Sequence, residues 1–586
     1  MERGKKQGMP KRNTGQKLSE RMWQWIKENK VALIIFIIYL IITFIAVLFH
    51  ENWEDEAQAW LTARDCSPIE LIGRMSVEGH FMPWYLILMP FAKLGFPYRT
   101  MNIISWLITA SAAWLMLKHL PCKFYKRVIF IFMLPMIYLY PAISRCYCLL
   151  PLGTILAIMF YKDRFKKPLR YLFSILIIAN VHTYTFGFAL VMGVEFLMDW
   201  IRKRKEFTRE QNRLILYGVI GTIMIAVLAC LPLIGSISGN EASGMKVREY
   251  ENPIKQLFVY MPINFFGYLF PISLQNIAYF TAIFLIVWEF FTRKSEFLKI
   301  SISIIWQCAI CCFLFGIILP QRIAIILFVI LFFVSCRSWR EENKKLIEDT
   351  YAPLKISADF IFTMIAIWIE IDTGNVHLAF LTLFSTFLIL ILLCTKKRNI
   401  TLKRRFYKIG NFISGTILVC LALTQVWLGL ENICNEIKLP FTDALATAKF
   451  INESTPEDSV FLTSQESSIM FTPIIPYLKV QENRFYNIGQ ESFYTYVVKL
   501  GSKDVIHPDS IDWKKYCNFG KRLYYINMSK RYYEDIFDAE NEISPAINLK
   551  KKGTLKEIFD AFDGISAPNE HYTIYEVDSN ICNSPS

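Results

Sequence analysis

Long apolar runs alternate with short basic loops along the first 430 residues of the chain. The first run, residues 31–49 (VALIIFIIYLIITFIAVLF), contains no charged residue and approaches the ~20 residues that a helix needs to cross a bilayer. Runs of this kind predict a polytopic α-helical membrane protein with about thirteen spans. The spans are predicted near residues 31–49, 102–119, 127–143, 146–161, 170–183, 184–201, 213–235, 275–291, 298–319, 321–336, 354–370, 376–394 and 410–430.

Lys and Arg cluster in the loops between these runs, and this pattern predicts the orientation of the chain. Short loops rich in Lys and Arg stay on the cytoplasmic side of a membrane. The basic N-terminal segment 1–30 is therefore expected in the cytoplasm, whereas residues 50–100 and the C-terminal part are expected outside. The later basic loops are 118–127, 161–170, 201–213, 336–345 and 395–405, with a weaker one at 292–299.

The apolar segment 80–96 (HFMPWYLILMPFAKLGF) fits this orientation only if it does not cross the membrane. It has about 17 residues and two internal prolines, so it is short for a span and interrupted within it. We predict a helix in the outer interface, with Trp84 and Tyr85 among the lipid headgroups. The same reasoning keeps the segment 256–274 from crossing.

Residues 431–586 have a different pattern, with short runs of strand length after a helical one. FTDALATAKFINES (441–454) is typical of a helix. Strands are predicted at SVFLTS (459–464), RFYNIG (484–489), RLYYINM (522–528) and HYTIYEV (571–577). We predict a transmembrane domain over 31–430 and a small extracytoplasmic α/β domain over 431–586. Since the latter shows no phosphate-binding glycine loop or nucleophile elbow, it is expected to be a lid, an acceptor-docking unit or a structural unit.

The composition agrees with a membrane protein and argues against a nucleic-acid-binding one. Of the 586 residues, 54% are hydrophobic and 15% are aromatic, which is more apolar surface than a soluble domain can bury. The net charge of +14 arises in loops between spans and not on one basic face. The fourteen cysteines lie mostly in apolar runs without paired CxxC motifs, which is typical of small packing residues.

An acidic stretch, HENWEDEAQAW (50–60), follows the first span directly. Its spacing predicts a short helix with Asp55 and Glu56 at its start, where the helix dipole stabilises anions. Trp60 and Leu61 would rest on the membrane. Two further acids are expected to be solvated, Glu51 and Glu54. The alternative to a catalytic role is that these acids only cap the helix.

Several polar side chains are predicted at the outer ends of the spans, where a charge is costly and often marks a site. They are Arg145 and Tyr147 in YPAISRCYCLL, His182 in ANVHTYTFGF and Arg322 in ILPQRIAIIL. Together with the acids they suit a lipid-linked sugar phosphate. Cations would bind the phosphate, and a carboxylate would take the proton of an attacking hydroxyl, inverting the anomeric carbon. The alternatives are arginines that only reach the headgroups and a packing histidine.

Four short motifs occur in an order that resembles the bacterial membrane glycosyltransferases of the GT-C superfamily. The motifs are EDEAQAW (54–60), GHFMPWYL (79–86), SRCYCLLPL (144–152) and HTYTFG (182–187). These enzymes are related to the protein O-mannosyltransferases and to the lipid A aminoarabinose transferase. By motif, the resemblance covers roughly residues 30–200, and it implies a GT-C-like membrane domain over 31–430.

The resemblance implies roles for residues at the matching positions. Asp55 would be the catalytic base with Glu56 beside it, and His80 would lie near the donor phosphate. Arg145 and Tyr147 match an R-x-Y motif of the family. The chain departs from the family in having one proline where the family has two in GHFMPWYL. It also lacks the second acid in YPAISRCYC, which weakens a two-acid or metal-bound mechanism.

The predicted function is an inverting glycosyltransferase of the cell membrane. A polyprenyl-phosphate sugar, the usual donor of the family, would be transferred on the extracytoplasmic side to a glycan, lipid or protein. Arg145, Tyr147, His80 and Arg322 would bind the donor phosphate, and His182 would contact sugar or acceptor. No cofactor is indicated, and dependence on a divalent metal ion stays open. The alternatives are a flippase or transporter of lipid-linked glycans and a polysaccharide polymerase.

Overall fold

The computed structural model consists of a helical part followed by a mixed β-sheet with flanking helices. The residues that it describes are 18–78, 81–237, 299–300, 302–303, 306–307, 324–336, 400–463, 471–496, 511–519, 522–528, 555–560 and 570–583. The helical part and the sheet contact each other through the segment that follows the first long helix.

Most of the described residues before residue 440 lie in helices. They are α1 (Leu18–Phe49), α2 (Glu54–Asp65), α3 (Pro68–Glu78), α4 (Pro83–Lys93), α5 (Thr100–His119), α6 (Phe124–Ile131), α7 (Leu149–Tyr161), α8 (Pro168–Ala179), α9 (Thr183–Lys203), α10 (Arg209–Ile237), α11 (Ile325–Ser335) and α12 (Ile400–Lys438). Helices α3, α4 and α8 begin with proline, whose fixed φ and missing N–H suit the first helical turn.

Four helices within the described ranges are long and apolar enough to cross a membrane: Lys27–Phe49, Thr100–His119, Thr183–Glu206 and Arg209–Pro232. The protein is therefore a polytopic helical membrane protein. These four lie at predicted spans, and α12 contains the predicted span 410–430. The number of spans stays a prediction, because several segments lie outside the described residues: 256–274, 275–291, most of 298–319, 354–370 and 376–394.

The predicted span 127–143 is wrong as a single helix. Helix α6 ends at Ile131, and a short π-helix follows at Pro135–Leu139. Proline cannot donate the backbone hydrogen bond that a continuous helix needs. Residues 132–148, here called the irregular segment, instead bond through their carbonyls to side chains of α1 and α5. These bonds join Tyr39 to Met136 (2.7 Å), Ser105 to Tyr140 (2.8 Å) and Asn102 to Ala142 (3.3 Å).

Helices α1 and α5 run in opposite directions. Asn52, just after α1, forms a hydrogen bond of 3.0 Å with Asn102 in the first turn of α5. At the opposite ends of the two helices, Lys118 bonds to Asn29. This arrangement agrees with the predicted order of the loops, while the side of the membrane on which each end lies stays a prediction.

A buried ion cluster ties α7, α9 and residue 299 together. Glu195 accepts from the Tyr161 hydroxyl at 3.0 Å and from the Lys299 amine at 2.8 Å. Nearby, Arg164 pairs with Asp199 at 3.0 Å and lies over the Tyr161 ring. The cluster lies beside the basic loops that follow α7 and α9, which are predicted to share one side of the membrane.

Helix α4 (Pro83–Lys93) falls within the predicted segment 80–96 but does not lie as predicted. Its eleven residues extend only about 16 Å, too short to cross a membrane. Trp84 and Tyr85 are each 2% exposed and pack in the helical core. The expectation that they lie among lipid headgroups is therefore wrong, because α2 and neighbouring helices cover them.

The C-terminal part forms a six-stranded sheet. Helix α13 (Ala444–Ser454) precedes it, and the short α14 (Ser579–Asn583) follows it. The strands are β1 (Val460–Thr463), β2 (Phe485–Asn487), β3 (Ser492–Tyr494), β4 (Leu523–Met528), β5 (Leu555–Asp560) and β6 (Tyr572–Val577). Their order is β3-β2-β1-β4-β6-β5. Strands β2, β1 and β4 are parallel, and the outer strands are antiparallel to their neighbours.

Side chains alternate between the two faces of the sheet, as strand geometry requires. Phe461 and Tyr524 pack with α13 in one core. Leu462 and Tyr525 pack in a second core on the other face. Both faces are therefore covered by protein.

Helix α2 lies between the helical core and the sheet. Leu61 is fully buried in the core that contains α13, whereas Trp60 packs in the helical core. The expectation that these two side chains rest on the membrane is wrong, because protein covers both. Further contacts of α2 and its C-terminal cap with the sheet join Asp65 to Thr495 and Cys66 to Tyr496.

Replacing Leu61 with alanine is expected to weaken the contact between helix α2 and the sheet. Truncating a fully buried leucine costs about 2–5 kcal/mol of stability. Thermal unfolding in detergent should show a lower midpoint for Leu61→Ala, with earlier proteolysis of the sheet. Ile69→Ala is the matched control, because Ile69 in α3 is 81% exposed. Equal midpoints for the two variants would contradict the assigned contact.

Candidate functional site

Three consecutive acids form the first turn of α2. Trp53 precedes the helix in an extended conformation, and Glu54, Asp55 and Glu56 follow it. The Trp53 N–H donates to Glu56 Oε2 at 3.2 Å, which satisfies one of the free donors at the helix start. The three carboxylates leave the helix in different directions and have different partners.

Glu56 is fully buried, and its carboxylate has three hydrogen-bond partners. Its Oε2 lies 2.9 Å from His50 Nε2 and also accepts from Trp53, while its Oε1 accepts from the Ser144 N–H. Burying a carboxylate is costly unless it is paired and hydrogen-bonded. Glu56 therefore joins the end of α1, the start of α2 and the irregular segment.

His50 continues this chain of contacts toward α12. Its Nδ1 lies 2.9 Å from Glu436 Oε1, which also accepts from the Tyr138 hydroxyl. Burial lowers the pKa of His50, but Glu436 and Glu56 raise it more, so that the net pKa lies well above its usual value. With a carboxylate oxygen 2.9 Å from each ring nitrogen, the imidazole donates to both as an imidazolium.

Asp55 forms an ion pair with Arg145. The Arg145 Nη2 lies 3.3 Å from Asp55 Oδ2, and Nη1 donates to the Asp55 carbonyl. The side chain of Asp55 is 26% exposed, compared with 7% for Arg145. The pair thus combines a buried guanidinium with a carboxylate that solvent can reach.

Three aromatic rings are stacked beyond Arg145. Tyr147 lies between Tyr140, at 6.3 Å and 17°, and His182, at 5.3 Å and 14°. His182 caps α9, because its Nδ1 accepts from the Tyr184 N–H at 3.3 Å. The structure thus brings His182 to the motif of Arg145 and Tyr147, and gives the histidine a structural role there.

Two predicted donor-binding residues, His80 and Arg322, lie outside the described residues. Their predicted role in binding the donor phosphate therefore rests on the sequence alone. Within the described ranges, no group of three or more His, Cys, Asp or Glu side chains is arranged to hold a metal ion.

Glu54 lies at the contact with the sheet, where the residue is half-buried and its Oε2 is fully buried. Its backbone N–H donates to Glu570 Oε1 at 2.8 Å, just before β6. Burial and the neighbouring Asp55 raise the pKa of Glu54 to about 8, and Arg145 opposes this rise. Burial and Glu54 likewise raise the pKa of Glu570. Glu54 is therefore only partly solvated, contrary to the expectation.

Glu51 is also only partly solvated. Burial raises its pKa to about 7, although Arg99 opposes the rise. The local sequence predicts neither the burial of Glu51 nor the contact of Glu54 with Glu570. Glu570 is 516 positions from Glu54, and a run of acids does not show which member is covered by another part of the fold.

No protein-family model and no curated protein matches the chain. Among solved structures it is similar to the crystal structure of ArnT from Cupriavidus metallidurans in the apo state. The identity is 12%, the match covers 96% of this chain and 100% of that chain, and the TM-score is 0.42. Likeness at this level does not show a family, and the function proposed below rests on the residues of this chain.

Replacing Glu54 with glutamine should reduce the pH dependence of stability. Because the folded-state pKa is raised from 4.5 to about 8, the folded protein binds a proton that the unfolded chain releases. The stabilisation is complete below pH 4.5 and is lost as pH rises through 8. Between pH 6 and 9 the thermal midpoint should fall less for Glu54→Gln than for wild type.

The control for this experiment is Glu482→Gln, which removes an exposed acid from the sheet part. It should retain the pH dependence of the wild type. A Glu54→Gln protein with the same pH dependence as wild type would show that Glu54 does not carry the proton.

Proposed function

We propose that the protein transfers a sugar from a polyprenyl-phosphate donor to an acceptor hydroxyl, with inversion at the anomeric carbon. The observation that carries the proposal is the contact between Asp55 and Arg145. It places a carboxylate that solvent can reach beside a buried guanidinium, at the start of a helix. This reaction needs a base at the acceptor hydroxyl and a cation at the leaving phosphate, on opposite sides of the anomeric carbon, so the sugar is proposed to bind beside this pair.

The surroundings of the three acids favour Asp55 as the base. Glu56 could reach a substrate only by leaving His50 and the Ser144 N–H. Glu54 lies in the contact with the sheet. Asp55 has one side-chain partner, Arg145, in the contacts described above, and its exposure leaves room for an acceptor. Glu56 is therefore proposed to position the base and not to act as one.

The reaction is a single displacement. The acceptor oxygen bonds to the anomeric carbon while its proton moves to Asp55, and the bond between that carbon and the phosphate oxygen breaks. Polyprenyl phosphate leaves with the bonding electrons and is stabilised by Arg145, whose planar donors suit a phosphate. His80 and Arg322 are proposed as further phosphate ligands, Tyr147 as support for Arg145, and His182 as a contact for sugar or acceptor.

Replacing Asp55 with asparagine should lower turnover by at least ~100-fold, the usual cost of losing a general base. The side-chain shape is kept, and binding of the donor should persist because Arg145 is unchanged. Purified protein in detergent would be given radiolabelled polyprenyl-phosphate sugars, and release of polyprenyl phosphate would be measured.

Asp65→Asn is the matched control, since Asp65 ends the same helix and pairs with Arg64 instead. Turnover of Asp55→Asn at the level of Asp65→Asn would exclude Asp55 as the base. Passage of the lipid-linked sugar across vesicles without release of polyprenyl phosphate would identify a transporter instead.

Replacing Arg145 with alanine should weaken donor binding, because a hydrogen bond to a charged group is worth about 1.5–3 kcal/mol. Arg145→Lys should restore binding only in part, since lysine lacks the planar fork. Equilibrium binding of the donor to detergent-solubilised protein would measure both. Arg202→Ala is the control, because Arg202 is half-exposed beside Asp199. Unchanged donor affinity in both Arg145 variants would exclude this arginine as a phosphate ligand.

A further inference from the structure

A buried chain of charged and polar side chains runs from α12 to the start of α2. Glu436 contacts His50, and His50 contacts Glu56, with both distances 2.9 Å. The three side chains are between 0% and 1% exposed. Two carboxylates and one imidazolium are thereby held out of water.

A gain in the free energy of unfolding does not explain well why these three buried side chains contact one another. Buried ion pairs can often be replaced by apolar residues without loss of stability, and they are better attested as devices that fix one geometry. The three buried side chains fix two neighbouring contacts between α2 and the irregular segment. Glu56 bonds to the Ser144 N–H, and the preceding residue, Asp55, pairs with the following residue, Arg145.

These two contacts are successive bonds between the same two segments. The first turn of α2 supplies Asp55 and Glu56, and the irregular segment supplies Ser144 and Arg145. A rotation of the first turn that released Glu56 from Ser144 would also move Asp55 away from Arg145. The orientation of Asp55 is thus set by Glu56, and that of Glu56 by His50.

We infer that His50 and Glu436 are positioning residues, which hold Asp55 against Arg145 through Glu56. The inference rests on the proposed function for its kinetic consequence, but the geometric claim stands separately. Glu436 lies near the end of α12, almost 400 positions after the acids that it orients. Its Oε1 contacts both His50 and Tyr138, and these contacts fix the side chain. Its Oε2 is buried without a hydrogen-bond partner.

The first test is turnover of His50→Gln. Without the imidazolium, Glu56 and Glu436 repel each other and the first turn of α2 shifts. A misplacement of about 1 Å can cost about 100-fold in rate, so kcat should fall by roughly 10- to 100-fold. The KM for the donor should change little, because Arg145 is retained in its buried position.

The second variant, His50→Gln with Glu436→Gln, removes one negative charge together with the positive one. It should recover several-fold of the turnover lost in His50→Gln, since residues in one network are energetically coupled. The recovery also separates positioning from a general failure to fold. A double variant as slow as His50→Gln, or slower, would overturn the inference.

Glu195→Gln is the matched control. Glu195, like Glu436, is a buried carboxylate that accepts from a tyrosine hydroxyl and contacts a cation, but it lies in the ion cluster of α7 and α9. Its replacement should lower thermal stability and leave the turnover of folded protein unchanged. Equal losses of kcat in Glu195→Gln and His50→Gln would show a structural role only.

Amide hydrogen exchange tests the geometry without any activity. Residues 53–57 and 144–146 should exchange faster in His50→Gln than in wild type, while these residues should be unaffected in Glu195→Gln. Unchanged exchange there would overturn the inference. Faster exchange in a protein whose wild type releases no polyprenyl phosphate would support positioning and reject the proposed transferase.

Discussion

The buried carboxylate of Glu56 is the constraint on which the site depends. A charge that is removed from water must find partners on every side, and Glu56 finds them in His50, Trp53 and Ser144. Each partner belongs to a different segment, so satisfying one carboxylate brings three segments together. The helix dipole at the start of α2 adds to this stabilisation, and Asp55 is left facing Arg145.

The three neighbouring acids show how one turn of helix can serve three parts of a fold. Successive side chains of a helix point about 100° apart, so Glu54, Asp55 and Glu56 cannot share one surface. Glu54 turns to the sheet, Asp55 to the accessible side of Arg145, and Glu56 to the interior. Their different surroundings, and not their chemistry, separate a candidate base from two supporting residues.

Periodicity and hydropathy were sufficient to predict the long helices and the general position of the acidic turn. The break in the predicted span 127–143 had a local signal in Pro135. The burial of Trp60, Leu61 and Trp84 had none, because an apolar face does not show whether lipid or protein covers it. The partners of Glu56 were also hidden, since Ser144 is 88 positions away and the contact continues to α12 through His50.

The distance along the chain between these contacts has a consequence for biosynthesis. Residues 50–56 leave the ribosome long before Glu436, and Glu570 follows later still. Until Glu436 and Glu570 are made, the first turn of α2 lacks the contacts that reach it from α12 and from the sheet. The apolar side of α2 also lacks the sheet that covers it. Contacts this remote make assembly slow and expose intermediates to aggregation. The membrane part thus completes the contacts of its first outer turn only when the last third of the chain is made.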